Sequence, residues 1–219
     1  MKSSALKKFG CVAATGALAV SMLGMTACSE PSASDQSPKP AASDSSLKKA
    51  ATPIGTHHAQ IKISGYDQPI MVELDGDSAP VTVQNFMELA NLGFYDGLTF
   101  HRIIEGFMMQ GGDPNGNGTG GSDNTIIGEF TNNGYDNELQ NVRGAIAMAR
   151  SNDPDSASSQ FFIVQEDSNY LDGDYAVFGH VTEGMDVVDE ICSAAVPTDS
   201  NGTISSKDQP VIEDITIID

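Results

Sequence analysis

The stretch GLTFHRIIEGFMMQGGD, residues 97 to 113, sets His101 and Arg102 side by side in an otherwise apolar run and follows them with Phe107, Met108 and Gln110. An arginine in such surroundings must either be paired with an acid or be kept for a visiting group, because an isolated buried charge is expensive. Its guanidinium is always charged and carries several donors in a rigid fork, so the chemistry it suits is directed hydrogen-bond donation. Taken alone, Arg102 reads best as a structural ion pair with one of thirty carboxylates, and His101 as a hydrogen-bonded structural histidine. Phe107, Met108, Phe161, Phe162 and Phe178 would ordinarily be core. Neighbours on a strand point to opposite faces, however, so Phe161 and Phe162 are both buried only where the second face is covered too.

Several short elements must position these residues. HAQIKIS and QPIMVEL alternate as strands around the turn residues GYDQ. APVTVQNFMELANLG has Pro80 suited to a first helical turn, apolar Val83, Phe86, Met87 and Ala90 at helical spacing, and Gly93 as a stop. Short β-type runs follow: LTFHRII, GFMMQ, GAIAMAR, SQFFIVQ and YAVFGHV. A second helix over about Met185 to Cys192 precedes a last strand in PVIEDITIID. Many short strands with two helices predict a mainly β fold, a closed antiparallel barrel whose ends the helices cover.

Ahead of this domain, MKSSALKKFGCVAATGALAVSMLGMTAC reads as a positive region, an apolar region and a small-residue cleavage site. Its last four residues resemble a bacterial lipobox, in which Cys28 would receive the lipid and become the new N-terminus; Met25 stands where leucine is usual. An uncleaved membrane anchor is the alternative, since the apolar stretch approaches spanning length, but Thr, Ser, Gly and Ala dilute it. The expected division is a signal peptide over 1–27, a Ser/Pro/Ala-rich tether over 28–56 and one globular domain over 57–219. A flexible tether of that length reaches roughly 30 Å. The expected location is extracytoplasmic, with the membrane contacted through the N-terminal lipid alone.

Thirty acidic residues face eleven basic ones, a net charge of −19. Loss of Lys2, Lys7 and Lys8 with the signal would leave eight cations and a charge near −22. Such a surface repels nucleic acid and anionic headgroups, which argues against both as partners. With Cys11 in the signal and Cys28 lipidated, Cys192 alone remains, so no intramolecular disulfide is available and the fold must rest on its core.

The blocks FHRIIEGFMMQGGD (100–113), NGTGG (117–121), AMAR (147–150), SQFFI (159–163) and LDGDYAVFG (171–179) resemble, in order and spacing, the signature blocks of cyclophilin-type peptidyl-prolyl cis-trans isomerases. The resemblance spans essentially all of 57–219. It implies an eight-stranded β-barrel capped by two helices, with the site on the outer face rather than in the lumen, and activity on proline-containing polypeptides in the folding of extracytoplasmic proteins. A proline-binding chaperone or scaffold with little turnover is the alternative use of the same groove. Arg102 would donate to the prolyl nitrogen as it becomes pyramidal. Phe107, Met108, Phe162 and Leu171 would form an apolar pocket for the ring, with Tyr175 at its edge. Gln110 would bond the substrate backbone and orient Arg102; Ala149, Arg150 and Gln160 would line the groove for residues preceding proline; His101 would pack beside the site as a support. No nucleophile, metal or cofactor is required, and a monomer is expected.

The chain departs from the family pattern in places. Arg150 and Ser151 stand where many members have Asn and Ala, and the loop SNDPDSAS is one residue longer, so side-chain preferences there should differ. Tyr170 replaces the Trp that contacts cyclosporin in many members. Glu105 replaces a common Pro and suggests a looser turn. DPNGNGTGG begins like a calcium loop, but Asn124 holds the position where a bidentate Glu belongs, and no helices flank it. No Gly-Lys-Ser/Thr follows, so it is no phosphate cradle. His57 and His58 sit at a domain edge with no further ligand nearby.

Overall fold

The computed structural model describes residues 54–219; the signal, Cys28 and nearly all of the tether lie outside the described residues. Eight strands form one antiparallel sheet: β1 (Thr56–Ile63), β2 (Ile70–Asp75), β3 (Phe100–Ile104), β4 (Met108–Gly111), β5 (Ala145–Met148), β6 (Phe161–Val164), β7 (Val177–Glu183) and β8 (Ile212–Ile217). Two helices accompany them, α1 (Pro80–Asn91) and α2 (Met185–Ala194). The first strand begins at Thr56, while Ile54 and Gly55 exchange backbone bonds with Gly76. Strand β1 thus begins one residue ahead of His57. His57 and His58 both meet the carboxylate of Asp219, which ties the end of the chain to β1.

The strand order is β3-β4-β6-β5-β7-β2-β1-β8. Four of the seven strand pairs carry a register shift. Each such irregularity bends its strand and increases local twist, which curls the sheet on itself. The closed barrel expected from sequence is a curled half-barrel, because β3 and β8 are edges that do not pair as strands. Backbone bonds lace the seam instead: Phe100 N–H to Pro210 O at 2.9 Å, Ile212 N–H to Leu98 O at 2.8 Å, Ile103 N–H to Gly202 O at 2.8 Å and Ile204 N–H to His101 O at 2.9 Å.

Alternation separates the two faces of the sheet. Inward residues of all eight strands join Phe86 and Val83 of α1 and Val188 and Ile191 of α2 in the main core. Phe86 packs its ring against Tyr95, Phe161 and Phe178 at 5.2 to 5.5 Å. Helix α1 has Ala79 ahead of Pro80 and no local side-chain cap. The buried Glu129 carboxylate serves instead, accepting from Val81 N–H at 3.1 Å and from Thr82 N–H and Oγ1–H at 2.8 Å each, where the helix dipole favours an anion. A second apolar cluster covers the opposite face, with Met108, Ala147, Phe162, Val164 and Val177 buried and Phe107, Ala149, Leu171 and Tyr175 packed on them. Phe161 belongs to the first cluster and Phe162 to the second, so both are buried on opposite sides of one strand.

Candidate active site

Strands β3, β4 and β6 lie side by side and bring Arg102, Gln110 and Phe162 into one row: Arg102 is paired with Gln110, and Gln110 with Phe162. The β3–β4 register skips a residue between Phe100 and Arg102, which leaves His101 as the extra residue of a bulge. That bulge lets Phe100 and Ile103 both enter the core while Arg102 stands on the outer face. The turn Glu105-Gly106-Phe107 is tied rather than loose: Phe107 N–H donates to Ile104 O at 3.0 Å and Gly106 N–H to Gln165 Oε1 at 2.7 Å.

The second apolar cluster is hollowed into a cup of about 200 Å³ lined by Arg102, Phe107, Met108, Gln110, Ala149, Arg150, Phe162, Leu171 and Tyr175. Phe162 and Tyr175 meet edge to face at 5.7 Å. On one side the cup opens into a groove of about 340 Å³, which shares Gln110, Ala149 and Arg150 and adds Gln160, Gly118 to Ser122, Ser151, Ser156 and Ser158. Of the described residues to which the resemblance gives a role at the site, only Gln160 and His101 stand off the cup. Gln160 lies in the groove. The His101 ring lies beyond Arg102 in a separate depression with Asn117, Asn201 and Thr203.

Arg102 is held on two sides. Its Nε donates to Asn201 O at 2.7 Å and its Nη1 to Gln110 Oε1 at 3.1 Å, with the Met108 sulfur 3.8 Å from Nη1. The Phe107 ring centre is 5.9 Å from its Cζ. Among the described residues no carboxylate comes within ion-pairing range of it, so the structural ion pair that the residue alone suggests is not made. Burial lowers the pKa of its guanidinium, while Tyr175, Tyr170 and Asp199 act the other way. Gln110 is oriented in turn: its Nε2 donates to Gln160 Oε1 at 2.9 Å, and Gln160 Nε2 donates to Gly120 O at 2.7 Å. This chain of amides fixes the Gln110 oxygen toward Arg102.

His101 is 3 % exposed, and neither ring nitrogen has a hydrogen-bond partner. Burial pulls its pKa below the ordinary value, and Arg102 adds to that while Asp113 opposes it. Asp113, which opens the glycine-rich stretch, is spent on its own loop. One carboxylate oxygen accepts from Asn115 N–H at 2.8 Å, the other from Asn117 N–H at 3.0 Å and Gly118 N–H at 2.6 Å. The loop so shaped becomes a wall of the groove, a placement the calcium-like pattern did not reveal. Asn201 and Phe130, which meet Arg102 and Arg150, also lack a signal in the linear sequence, because each comes from a separate loop segment that no local spacing links to its arginine.

A sequence model of the family described as cyclophilin type peptidyl-prolyl cis-trans isomerase/CLD matches residues 58–219. The chain belongs to this family. Among curated relatives, peptidyl-prolyl cis-trans isomerase B of Escherichia coli is 37% identical over 172 residues, covering 74% of this chain and 96% of the relative. The protein of the same name in Bacillus subtilis is 50% identical over 117 residues, 53% of this chain and 78% of the relative. The crystal structure of a cyclophilin type isomerase from Cryptosporidium parvum in the presence of the dipeptide Ala-Pro superposes with a TM-score of 0.62 at 29% identity, covering 74% of this chain and 99% of that one. This cyclophilin is a peptidyl-prolyl cis-trans isomerase, with the family's eight antiparallel strands and two helices.

Proposed function

We propose that the cup takes the proline ring of a polypeptide and that Arg102 is the catalytic residue. An Xaa-Pro bond keeps its plane through amide resonance, with a barrier to rotation of about 18–20 kcal/mol. Drawing on the prolyl nitrogen lone pair weakens that resonance. A guanidinium fixed at Nε by Asn201 and at Nη1 by Gln110 has further N–H groups left to point over the cup. Its donation to nitrogen grows as that atom becomes pyramidal, and only an interaction stronger in the twisted state than in either planar state accelerates the exchange. An acceleration of about 10⁵ requires roughly 7 kcal/mol. A charge-assisted hydrogen bond in a half-dry site, with the ring clamped while the rest of the chain turns, is of that order. Phe107, Met108, Phe162 and Leu171 hold the ring, Tyr175 bounds it, and the peptide preceding proline crosses Ala149, Arg150 and Gln160.

The observation that carries this reading is an arginine positioned by a carbonyl and an amide, with no carboxylate among the described residues within ion-pairing range, at the lip of an apolar cup. The test is Arg102→Ala in a protease-coupled isomerisation assay. We expect the exchange rate to fall about a hundredfold or more, with affinity for a prolyl peptide nearly intact. An unchanged rate removes Arg102 from the mechanism. The setting we propose is extracytoplasmic, with the enzyme lipid-anchored through Cys28 and acting as a monomer on secreted or surface proteins whose folding waits on slow Xaa-Pro steps.

A further inference from the structure

Thirty acidic side chains belong to this chain, yet among the described residues none lines the cup or the groove, whose only charged lining residues are Arg102 and Arg150. Arg150 lines both, at the point where one opens into the other. It is fixed without an acid. Its guanidinium is stacked near two rings, 5.1 Å from the Phe130 centre and 4.8 Å from that of Tyr175. Its Nε donates to Asp174 O at 2.9 Å and its Nη1 to Ser151 O at 2.9 Å. Among the described residues Nη2 has no partner, and no carboxylate comes within ion-pairing range.

Ring faces and neutral carbonyls orient a guanidinium but do not compensate its charge. What remains is a forked donor, planar and pre-organised, at the edge of a groove with hydroxyl, amide and backbone walls. Its Nε hydrogen is taken, so the donors left are those of Nη2 and the second hydrogen of Nη1, and the group that completes them is a carboxylate accepted at the end of the guanidinium. We propose that Arg150 is a specificity-determining residue that selects polypeptides carrying an Asp or Glu one or two residues before the proline. The inference rests on the reading above, in which the segment preceding proline crosses Arg150. It also runs against the charge of the whole chain, which repels acidic peptides at long range. Arg150 must therefore act locally, and its removal should reverse the preference rather than merely weaken it.

The experiment compares kcat/KM of the full chain on matched tetrapeptides with Glu or Gln at each of those two positions. At low ionic strength we expect a preference for Glu over Gln of about fivefold at one of them, shrinking as salt screens the contact. In Arg150→Gln the ratio should fall to one or below. In Arg150→Lys it should keep only part of its value, since an ammonium has no flat face to lie against rings. Each ratio is internal to one protein, so an overall change in rate does not move it. A wild-type ratio of one at both positions, or a preference that survives Arg150→Gln, overturns the proposal. Should Arg150→Gln fail to fold, a wild-type preference indifferent to salt does the same. A wild-type chain that accelerates neither peptide sinks the isomerase reading itself, whereas one that turns over Gln-Pro and Glu-Pro equally sinks the acid selectivity alone.

Discussion

His101 is the residue whose energetics the fold leaves most exposed to test. Both ring nitrogens are buried without a partner, a state tolerated far better by neutral imidazole than by the cation. Burial, then Arg102, lowers its pKa from 6.5 against the pull of Asp113. A depressed folded value means that the unfolded chain takes up the proton first. Stability is then fully present above 6.5 and is lost as pH falls through the folded value. Asp113 behaves in the same sense but in a lower window. Burial pushes it up, yet the backbone N–H groups of Asn115, Asn117 and Gly118 outweigh that and hold it below 3.8. Replacing His101 by Gln should therefore flatten the loss of melting temperature on acidification from pH 6.5 toward 5 while leaving the steeper loss below 3.8 in place. The three other histidines are common to both proteins and cancel in the comparison. Parallel curves across the upper window would show that His101 is not the group responsible. From sequence, a structural role for this histidine was readable; its missing partners were not, because they follow from a bulge in pairing with a strand eight residues away.

At the scale of elements, the seam between β3 and the segment before β8 joins folding to chemistry. Asn201, Gly202 and Thr203 lie along the β3 edge: Gly202 O accepts from Ile103 N–H, Thr203 bridges Arg102, and Asn201 O takes Nε of Arg102. The Asp199 carboxylate shapes this turn by accepting from Asn201 N–H at 2.9 Å and Thr203 N–H at 3.1 Å. Gly202 has φ of 85°, and a Cβ there would come within 2.8 Å of Ile103 O. Gly202→Ala should thus cost about 1 kcal/mol or more through backbone strain, lower the melting temperature by several degrees, and shift Asn201 enough to reduce kcat/KM about tenfold with a smaller change in peptide affinity. A protein that melts earlier but turns over at the original rate would show that the seam does not position Arg102. Alternation made the strands visible in the sequence and helical spacing the two helices, whereas the grouping of Arg102, Gln110 and Phe162 was legible only through the resemblance to the family. The seam was invisible for a physical reason: its contacts join residues about a hundred apart through backbone groups, which no side-chain pattern announces. The Gln110–Gln160–Gly120 chain and Phe130 under Arg150 were hidden for a related reason, since side chains from different loops and strands meet there with no local spacing to mark them.

For the whole molecule, charge and the proposed tether bear on where such an enzyme would work. The net charge of −19 keeps the domain away from anionic surfaces, and among the described residues no helix is long and apolar enough to cross a membrane. A polar, Pro- and Ser-rich stretch before Ile54 lacks the apolar side chains needed to bury a core of its own. With its far end held at a membrane, it would let the domain range over roughly 30 Å, far enough for the cup to meet chains emerging at the surface, while electrostatic repulsion would keep the domain off anionic headgroups. That arrangement needs a hold stronger than one acyl chain, because a single chain gives only marginal, reversible binding. The proposed diacylation of Cys28 would supply two. Expression of the full chain in a bacterial host should therefore yield a product that partitions into detergent, with an intact mass showing cleavage before Cys28 and an added diacylglyceryl group. Cys28→Ala should leave the detergent phase while isomerase activity per molecule stays the same, since the cup lies wholly within the folded domain. A wild-type product that is cleaved but carries no lipid, or one that keeps residues 1–27 attached, would defeat the anchor without touching the assignment of the cup.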